Sequence, residues 1–196
     1  MAFDLYFLRA ALPLTKTIEL INGQIVKKAY PLVLNFTSEV VSINTIDDFF
    51  QALMKRATSA QKPCLIKGLL SRPLVNESRK ATTSTNSPTR WVCLDIDDAP
   101  FSSPEEVMRA LNLTDVSYVV QYSSSYKLGR SKNLSCHIFF LLSKAVPAPE
   151  LKAWLMHLNL SITVFERAIC LSNSNSALHW PLDITTCQND KLIYTA

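Results

Sequence analysis

The stretch WVCLDIDDAP, residues 91–100, decides how the chain is read. Apolar residues run into three carboxylates, and a proline follows. Residues i and i+2 of a strand share a face, so Asp95 and Asp97 point one way while Val92, Leu94 and Ile96 point into a core. Two like charges at this spacing repel, and burying them unpaired is costly, so a positive group belongs between them. Carboxylates about 6–7 Å apart along a strand can grip hard cations from one side. Two such ions, roughly 3.5–4 Å apart, clamp both ends of a phosphoryl displacement. The alternative is a polar strand end entering an Asp-Asp-Ala-Pro turn, and on these ten residues alone it is the stronger reading.

Downstream, SSPEEVMRALNL (102–113) predicts a short helix, with Ser103, Pro104 and Glu106 as a capping box carrying proline at the first helical position. SYVVQYSSSY (117–126) predicts a strand running into a polar loop, and LSCHIFFLL (134–142) predicts another strand. Ser135 and His137 again stand at i and i+2, with Cys136, Ile138 and Phe140 on the opposite face. A hydroxyl and an imidazole on one face can donate to phosphate oxygens. The loop before them supplies Ser123, Ser124, Ser125, Lys127, Arg130 and Lys132, the donor-rich cationic rim that anionic oxygens prefer. Alternatively, His137 is half-buried with one satisfied nitrogen and the loop is a solvated turn. A lone S-x-H says little; its position after a basic loop adds to it.

Further out, APELKAWLMHLNL (148–160) predicts a helix with Leu151, Trp154, Leu155 and Leu158 on one side, and ITVFERAICL (162–171) a second helix. ALHWPLDIT (177–185) and KLIYTA (191–196) read as extended. Asp183, an isolated acid in an apolar strand, either completes a three-carboxylate metal site with Asp95 and Asp97 or pairs with a nearby cation; His179 reads as structural.

Upstream, PCLIKGLLSRPLVNESRKATTSTNSPTRW (63–91) has a Ser/Thr/Asn-rich middle with Arg72, Arg79, Lys80 and Arg90. It reads as a mobile basic loop, and on charge alone a solvated linker and a nucleic-acid contact fit it equally. NTIDDFFQALMKRATSA (44–60) predicts a helix capped by Thr45 or Asn44, with Ile46, Phe49, Phe50, Leu53, Met54 and Ala57 on one face. TIELINGQIVKKAY (17–30) predicts a hairpin turning at Asn22-Gly23, and residues 31–43 continue in extended character.

The bulk numbers agree with one large domain or two small lobes. The 196 residues are 48% apolar and 18% charged, a globular composition, and the net charge of +4 permits a polyanionic partner without demanding one. Five cysteines lack the short spacings of a zinc site or redox dithiol and read as reduced, mostly buried thiols. Three glycines cannot build a P-loop or a dinucleotide fingerprint. No apolar run reaches the roughly 18–20 residues of a membrane span, and the first ten residues make a poor signal peptide.

Taken in order, a hydrophobic strand with D-x-D (Asp95, Asp97), S-x-H on a later strand (Ser135, His137) and a lone Asp after an apolar pair (Asp183) resemble the motif triad of the archaeo-eukaryotic primase superfamily. The likeness is to the primase-polymerase domains of phage, plasmid and integrated-element replication proteins, and it covers residues 60–196 best. It implies an α+β fold: an RRM-like catalytic sheet with helices on one face and an N-terminal α/β lobe, forming a cleft. The chain would be one catalytic module, with residues 1–62 as a hairpin and helix lobe and 63–196 as the metal- and nucleotide-binding core. It would be a piece of a longer replication protein. Asp95, Asp97 and Asp183 would bind two divalent ions, Mg²⁺ or Mn²⁺. Ser135 and His137, with Lys127, Arg130 and Ser124 beside them, would hold the incoming nucleotide. Arg72, Arg79, Lys80 and Arg90 could track the template backbone. The implied partners are template DNA, NTPs or dNTPs and a helicase domain, in the cytoplasm of a bacterial or archaeal host, with no membrane.

Two rivals use the same residues. A metal-dependent nuclease or phosphoesterase also suits D-x-D with a distant Asp; strand cleavage, rather than pyrophosphate release, would mark it. A non-catalytic sheet binding single-stranded nucleic acid would expose aromatics on its binding face, where Phe139 is the candidate. A rolling-circle nicking enzyme needs paired histidines around an apolar residue, and His137 has Ser135 and Phe139 instead.

Overall fold

The computed structural model describes residues 2–22, 24–124, 126–127, 133–171 and 177–195. The first elements are β1 (Phe3–Arg9), β2 (Thr17–Ile21), β3 (Gln24–Lys28), β4 (Asn35–Ile43), α1 (Ile46–Ala57), β5 (Cys64–Ile66) and β6 (Glu77–Ser78). Next are β7 (Thr89–Ala99), α2 (Pro104–Ala110), β8 (Tyr118–Tyr122), β9 (Leu134–Val146), α3 (Ala148–Ser161) and α4 (Thr163–Glu166). The short pair β10 (Cys170–Leu171) and β11 (Leu178–His179), a 3₁₀ turn (Ile184–Cys187) and β12 (Leu192–Tyr194) follow. The fold is mixed α+β with antiparallel sheets. No helix among the described residues is long and apolar enough to cross a membrane.

The sheet that carries Asp95 has the order β7-β9-β8, with β9 antiparallel to both neighbours. β7 and β8 are joined through α2, so they run parallel with β9 inserted between them, a split β-α-β unit. One face of this sheet (Val92, Leu94, Ile96, Cys136, Ile138, Phe140) packs on Val107 and Met108 of α2 and on Leu151, Leu155 and Leu158 of α3. The other face (Trp91, Cys93, Phe139, Val119) packs on Leu5, Phe7, Leu65 and Phe49. Phe49, Trp91 and Phe139 meet with centroids 5.3–6.3 Å apart, each pair contributing about 0.5–1.5 kcal/mol beyond burial. The period-2 pattern of β7 thus separates two cores.

The second sheet has the order β12-β5-β1-β4-β6, so it takes strands from residues 64–66, 77–78 and 192–194. The 62/63 boundary therefore does not coincide with an edge of this sheet. β2 and β3 form a separate ribbon, with Asn22 at φ 50° in the predicted turn. The five cysteines are unpaired, and only Cys170 is exposed.

Several sequence expectations are corrected. Residues 72–90 are not a loose loop: Ser71 N–H donates to Thr82 O, Ser84 N–H to Leu69 O, and Leu74 and Thr82 are buried. The predicted Thr45 cap forms, and Asp48 closes a capping box with it, but the α1 face is rotated. Phe50 and Met54 are exposed, while Ala52 and Arg56 are buried. The Arg56 guanidinium bonds Glu39 and Ala52 O and lies 4.2 Å over the Phe7 ring, so a cation takes the core position that periodicity reserved for an apolar residue. Ser103 caps α2, but the Glu106 carboxylate accepts from Ser102 N–H, one residue before the expected partner. Only a single turn of the second helix in 162–171 forms, and Asp183 caps a 3₁₀ turn rather than sitting in a strand.

Candidate active site

Asp95, His137 and Gln121 form one row across the three strands, because Asp95 is registered with His137 on β9 and His137 with Gln121 on β8. His137 Nε2 lies 3.4 Å from Asp95 Oδ1, and Nδ1 lies 3.3 Å from Gln121 Oε1. A doubly protonated ring donates to both; a neutral ring pairs with Gln121 through the amide's other end. Below the row, His137 meets Phe139 edge-on at 5.8 Å. Burial works to raise the Asp95 pKa, but the His137 hydrogen bond and charge, then Lys191 and Lys16, outweigh it and hold the carboxyl below its ordinary value.

Past Ile96 the ladder is interrupted. Registration resumes only at Ala99, and Asp98 takes φ 53°, a left-handed bulge that turns the strand end outward. Ser135 braces this bulge. Its Oγ accepts from Asp98 N–H at 2.9 Å and donates to Asp97 Oδ1 at 3.4 Å, and Asn133 Nδ2 donates to Asp98 O at 3.1 Å. The hydroxyl expected to face a nucleotide thus supports the carboxylate instead, and Ser135 is buried.

Asp183 arrives from far along the chain. Its N–H donates to Asp95 O at 3.0 Å, next to the Ile96–Leu182 bridge on the free edge of β7. The anchor is Asn159, fully buried in α3, whose amide donates to Leu182 O at 3.0 Å and accepts from Leu182 N–H at 3.1 Å. The sequence reading missed it; an Asn inside the apolar face LMHLNL was the available signal. The Asp183 carboxylate accepts from Thr185 N–H and Oγ1, both at 2.8 Å, and from Lys191 Nζ at 3.2 Å.

Asp95, Asp97, Asp183 and His137 line one cavity of about 700 Å³. Ser123 and Ser124 also line it, as expected of the polar loop. Three lysines do so too, and none was singled out from sequence: Lys16, Lys27 and Lys191. The other expected contacts lie elsewhere. Lys127 Nζ sits 5.1 Å over the Tyr126 ring, and Arg130 falls outside the described residues. Arg72 pairs with Glu77, with 2.6 Å from Nη2 to Oε2; Arg79 donates to Asp190 O at 2.6 Å, and Arg90 donates to Ser143 O. Lys80 is exposed, and none of these four lines the cavity.

Three carboxylates around one cavity suit hard divalent ions such as Mg²⁺ or Mn²⁺ in donor chemistry. Each already has a protein partner, and among the described residues no three His, Cys, Asp or Glu side chains form a ready metal-binding group. Ions would therefore enter by displacing His137, Ser135 or Lys191 from the acids. No family model, no curated protein and no solved structure matches this chain.

Proposed function

We propose that this chain is a template-dependent DNA primase-polymerase. It would join nucleotides by attack of a 3′-hydroxyl, or of an initiating nucleotide, on the α-phosphate of the next, with release of pyrophosphate. One observation carries the reading: the N–H of Asp183 meets the carbonyl of Asp95, and both acids share a cavity with Asp97 and His137. The finer fold reading, an RRM-like sheet forming a cleft with the N-terminal lobe, draws support from the β7-α2-β8-β9 split unit. Further support comes from Leu182 pairing where a fourth strand would lie, and from α2 and α3 covering one face.

Asp95, Asp97 and Asp183 would hold two Mg²⁺ or Mn²⁺ ions, whose chemistry is to neutralise charge on the phosphoryl group and the departing pyrophosphate. The chain's own groups do the rest. His137 Nε2, freed from Asp95, donates to a phosphate oxygen. Lys16, Lys27 and Lys191 offset triphosphate charge, and Thr185 fixes the Asp183 carboxylate. The Ser135 brace keeps Asp97 aimed by holding the bulge, so it acts as a positioning residue. Template DNA, NTPs or dNTPs and a helicase domain are the proposed partners, in a bacterial or archaeal cytoplasm.

The test is template-directed incorporation of labelled nucleotides with Mg²⁺ or Mn²⁺, with and without a primer, comparing wild type with Asp95→Ala/Asp97→Ala. Incorporation and pyrophosphate release are expected to fall by about a hundredfold or more in the variant, as when a preorganised electrostatic group is removed. Equal activity overturns the assignment, and shortened strands in place of extended ones would mark a phosphoesterase. A second reading, a non-catalytic single-strand binder, would keep the three acids on their protein partners His137, Ser135, Thr185 and Lys191. Phe139, the aromatic on the His137 face, counts against it, since it is fully buried between the sheets. Chelator-insensitive binding without any incorporation would decide for that reading.

A further inference from the structure

We infer that the β2–β3 ribbon grips a single DNA strand beside the cavity, with Lys16 and Lys27 on backbone phosphates and Ile18, Leu20 and Ile25 against bases. This rests on the proposed function and assigns its strand-binding surface to a segment other than residues 72–90.

The ribbon's register makes the assignment. Ile18 pairs with Lys27 and Leu20 with Ile25, so these four share one face, and Lys16, two residues before Ile18, extends it. Lys16 and Lys27 line the cavity, so this is the face turned to the acids. On the opposite face Lys28 and Glu19 pair at 2.6 Å and offset each other's charge. Lys27 makes no ion pair with a described residue. The cavity side of the ribbon is therefore cationic at its root, and its outer part is apolar and open, with Leu20 74% and Ile25 39% exposed; Ile21 (46%) and Val26 (37%) are exposed on the opposite face, so unpaired charge and the turn toward the acids, not apolar exposure, distinguish the cavity side.

A two-stranded ribbon is marginal alone, and exposed apolar residues on one mark a contact. The root is fixed: Tyr30 stacks on Tyr194 of β12 with centroids 3.6 Å apart and planes 7° from parallel, and Lys16 Nζ lies 5.1 Å from the Tyr30 ring. Charge complementarity selects the occupant. Cations followed by an apolar strip match a strand that offers phosphates and then unpaired base faces. Five residues per strand reach about 17 Å at about 3.4 Å per residue, longer than one free nucleotide needs.

The experiment is fluorescence anisotropy of a labelled single-stranded oligodeoxynucleotide across a salt series, in EDTA and without nucleotide, so catalysis plays no part. Lys16→Ala/Lys27→Ala is expected to weaken binding about tenfold and to flatten the log–log salt slope by about 1.4, from about 0.7 per single-strand phosphate contact. Leu20→Ser/Ile25→Ser is expected to weaken binding with the slope unchanged, and Arg72→Ala/Lys80→Ala to leave both within about twofold. The inference is overturned if wild type does not bind the strand, if Lys16→Ala/Lys27→Ala keeps wild-type affinity and slope, or if Arg72→Ala/Lys80→Ala carries the loss. An effect of the ribbon variants in a protein that incorporates no nucleotide supports the ribbon while rejecting the polymerase.

Discussion

Two basic segments contrast sharply. Residues 72–90 are rich in Arg and polar linker residues; residues 16–28 look like an ordinary hairpin. In the fold their cations are placed the other way round. Arg72, Arg79 and Arg90 each bond a protein oxygen, and the Asn189 amide clamps the segment by donating to Ser84 O and Ser87 O. The ribbon's Lys16 and Lys27 instead stand at a cavity shared with three carboxylates. The Arg72 fork is held by both oxygens of Glu77, whereas Lys27 makes no ion pair with a described residue. The lesson is that charge read along the chain does not say which cations the fold turns toward a cavity.

Substitutions can break this contrast, the largest effect first. Gly68 N–H donates to Asn189 O, and a Cβ at Gly68 would lie 2.6 Å from Asn189 Cβ and 2.9 Å from its carbonyl oxygen. Gly68→Ala should cost about 1–3 kcal/mol by overpacking, seen as a lower urea midpoint, and should loosen the clamp on Ser84 and Ser87. An unchanged midpoint would mean residues 72–90 are less firmly tied than described.

Next is Lys67, a cation committed entirely to the interior: it is buried, donates to Trp91 O and lies 4.3 Å from the Trp91 ring. Burial lowers its pKa to about 7. An unfolded lysine titrates near 10.4, so between about pH 7 and that value the unfolded chain binds more protons, and this group makes stability rise with pH. Below about pH 7 both states are protonated and its contribution is flat. Lys67→Met should remove that rise in urea midpoints measured from pH 6 to 10; an unaltered slope would sink the account.

The smallest effects belong to exposed groups. Arg72→Ala breaks a surface pair and should cost no more than about 1 kcal/mol. Leu20→Ser, on the ribbon, should stay within about 0.5 kcal/mol by thermal melting. A larger loss there would make the ribbon part of the core.

What was legible in the sequence was local. Alternation gave the faces on which Asp95 and His137 stand, whereas the antiparallel register of β7 and β9 that sets them side by side came only with the fold. The Thr45 and Ser103 caps followed from side chains that satisfy nearby backbone groups, and the Asn22 turn from a residue type that tolerates positive φ. Long-range pairing was not legible. β5, β6 and β12 are two or three residues each, too short for a period to register, yet they complete a sheet. Asp183 reads as a strand residue because its neighbours are apolar; its place depends on Asn159, one buried amide on a distant helix. Lys16 and Lys27 carry no motif, and their approach to the acids depends on how the hairpin leans on Tyr194.

The pairing of β12 with β5 has a consequence for synthesis on the ribosome. β5 is flanked by β1 early, but its other edge waits for Leu192–Tyr194, which emerge much later. Tyr194 also supplies the ring on which Tyr30 stacks. A nascent chain halted before residue 192 would carry an open sheet edge and an unanchored ribbon, a state suited to capture by a holdase or to strand addition from another chain.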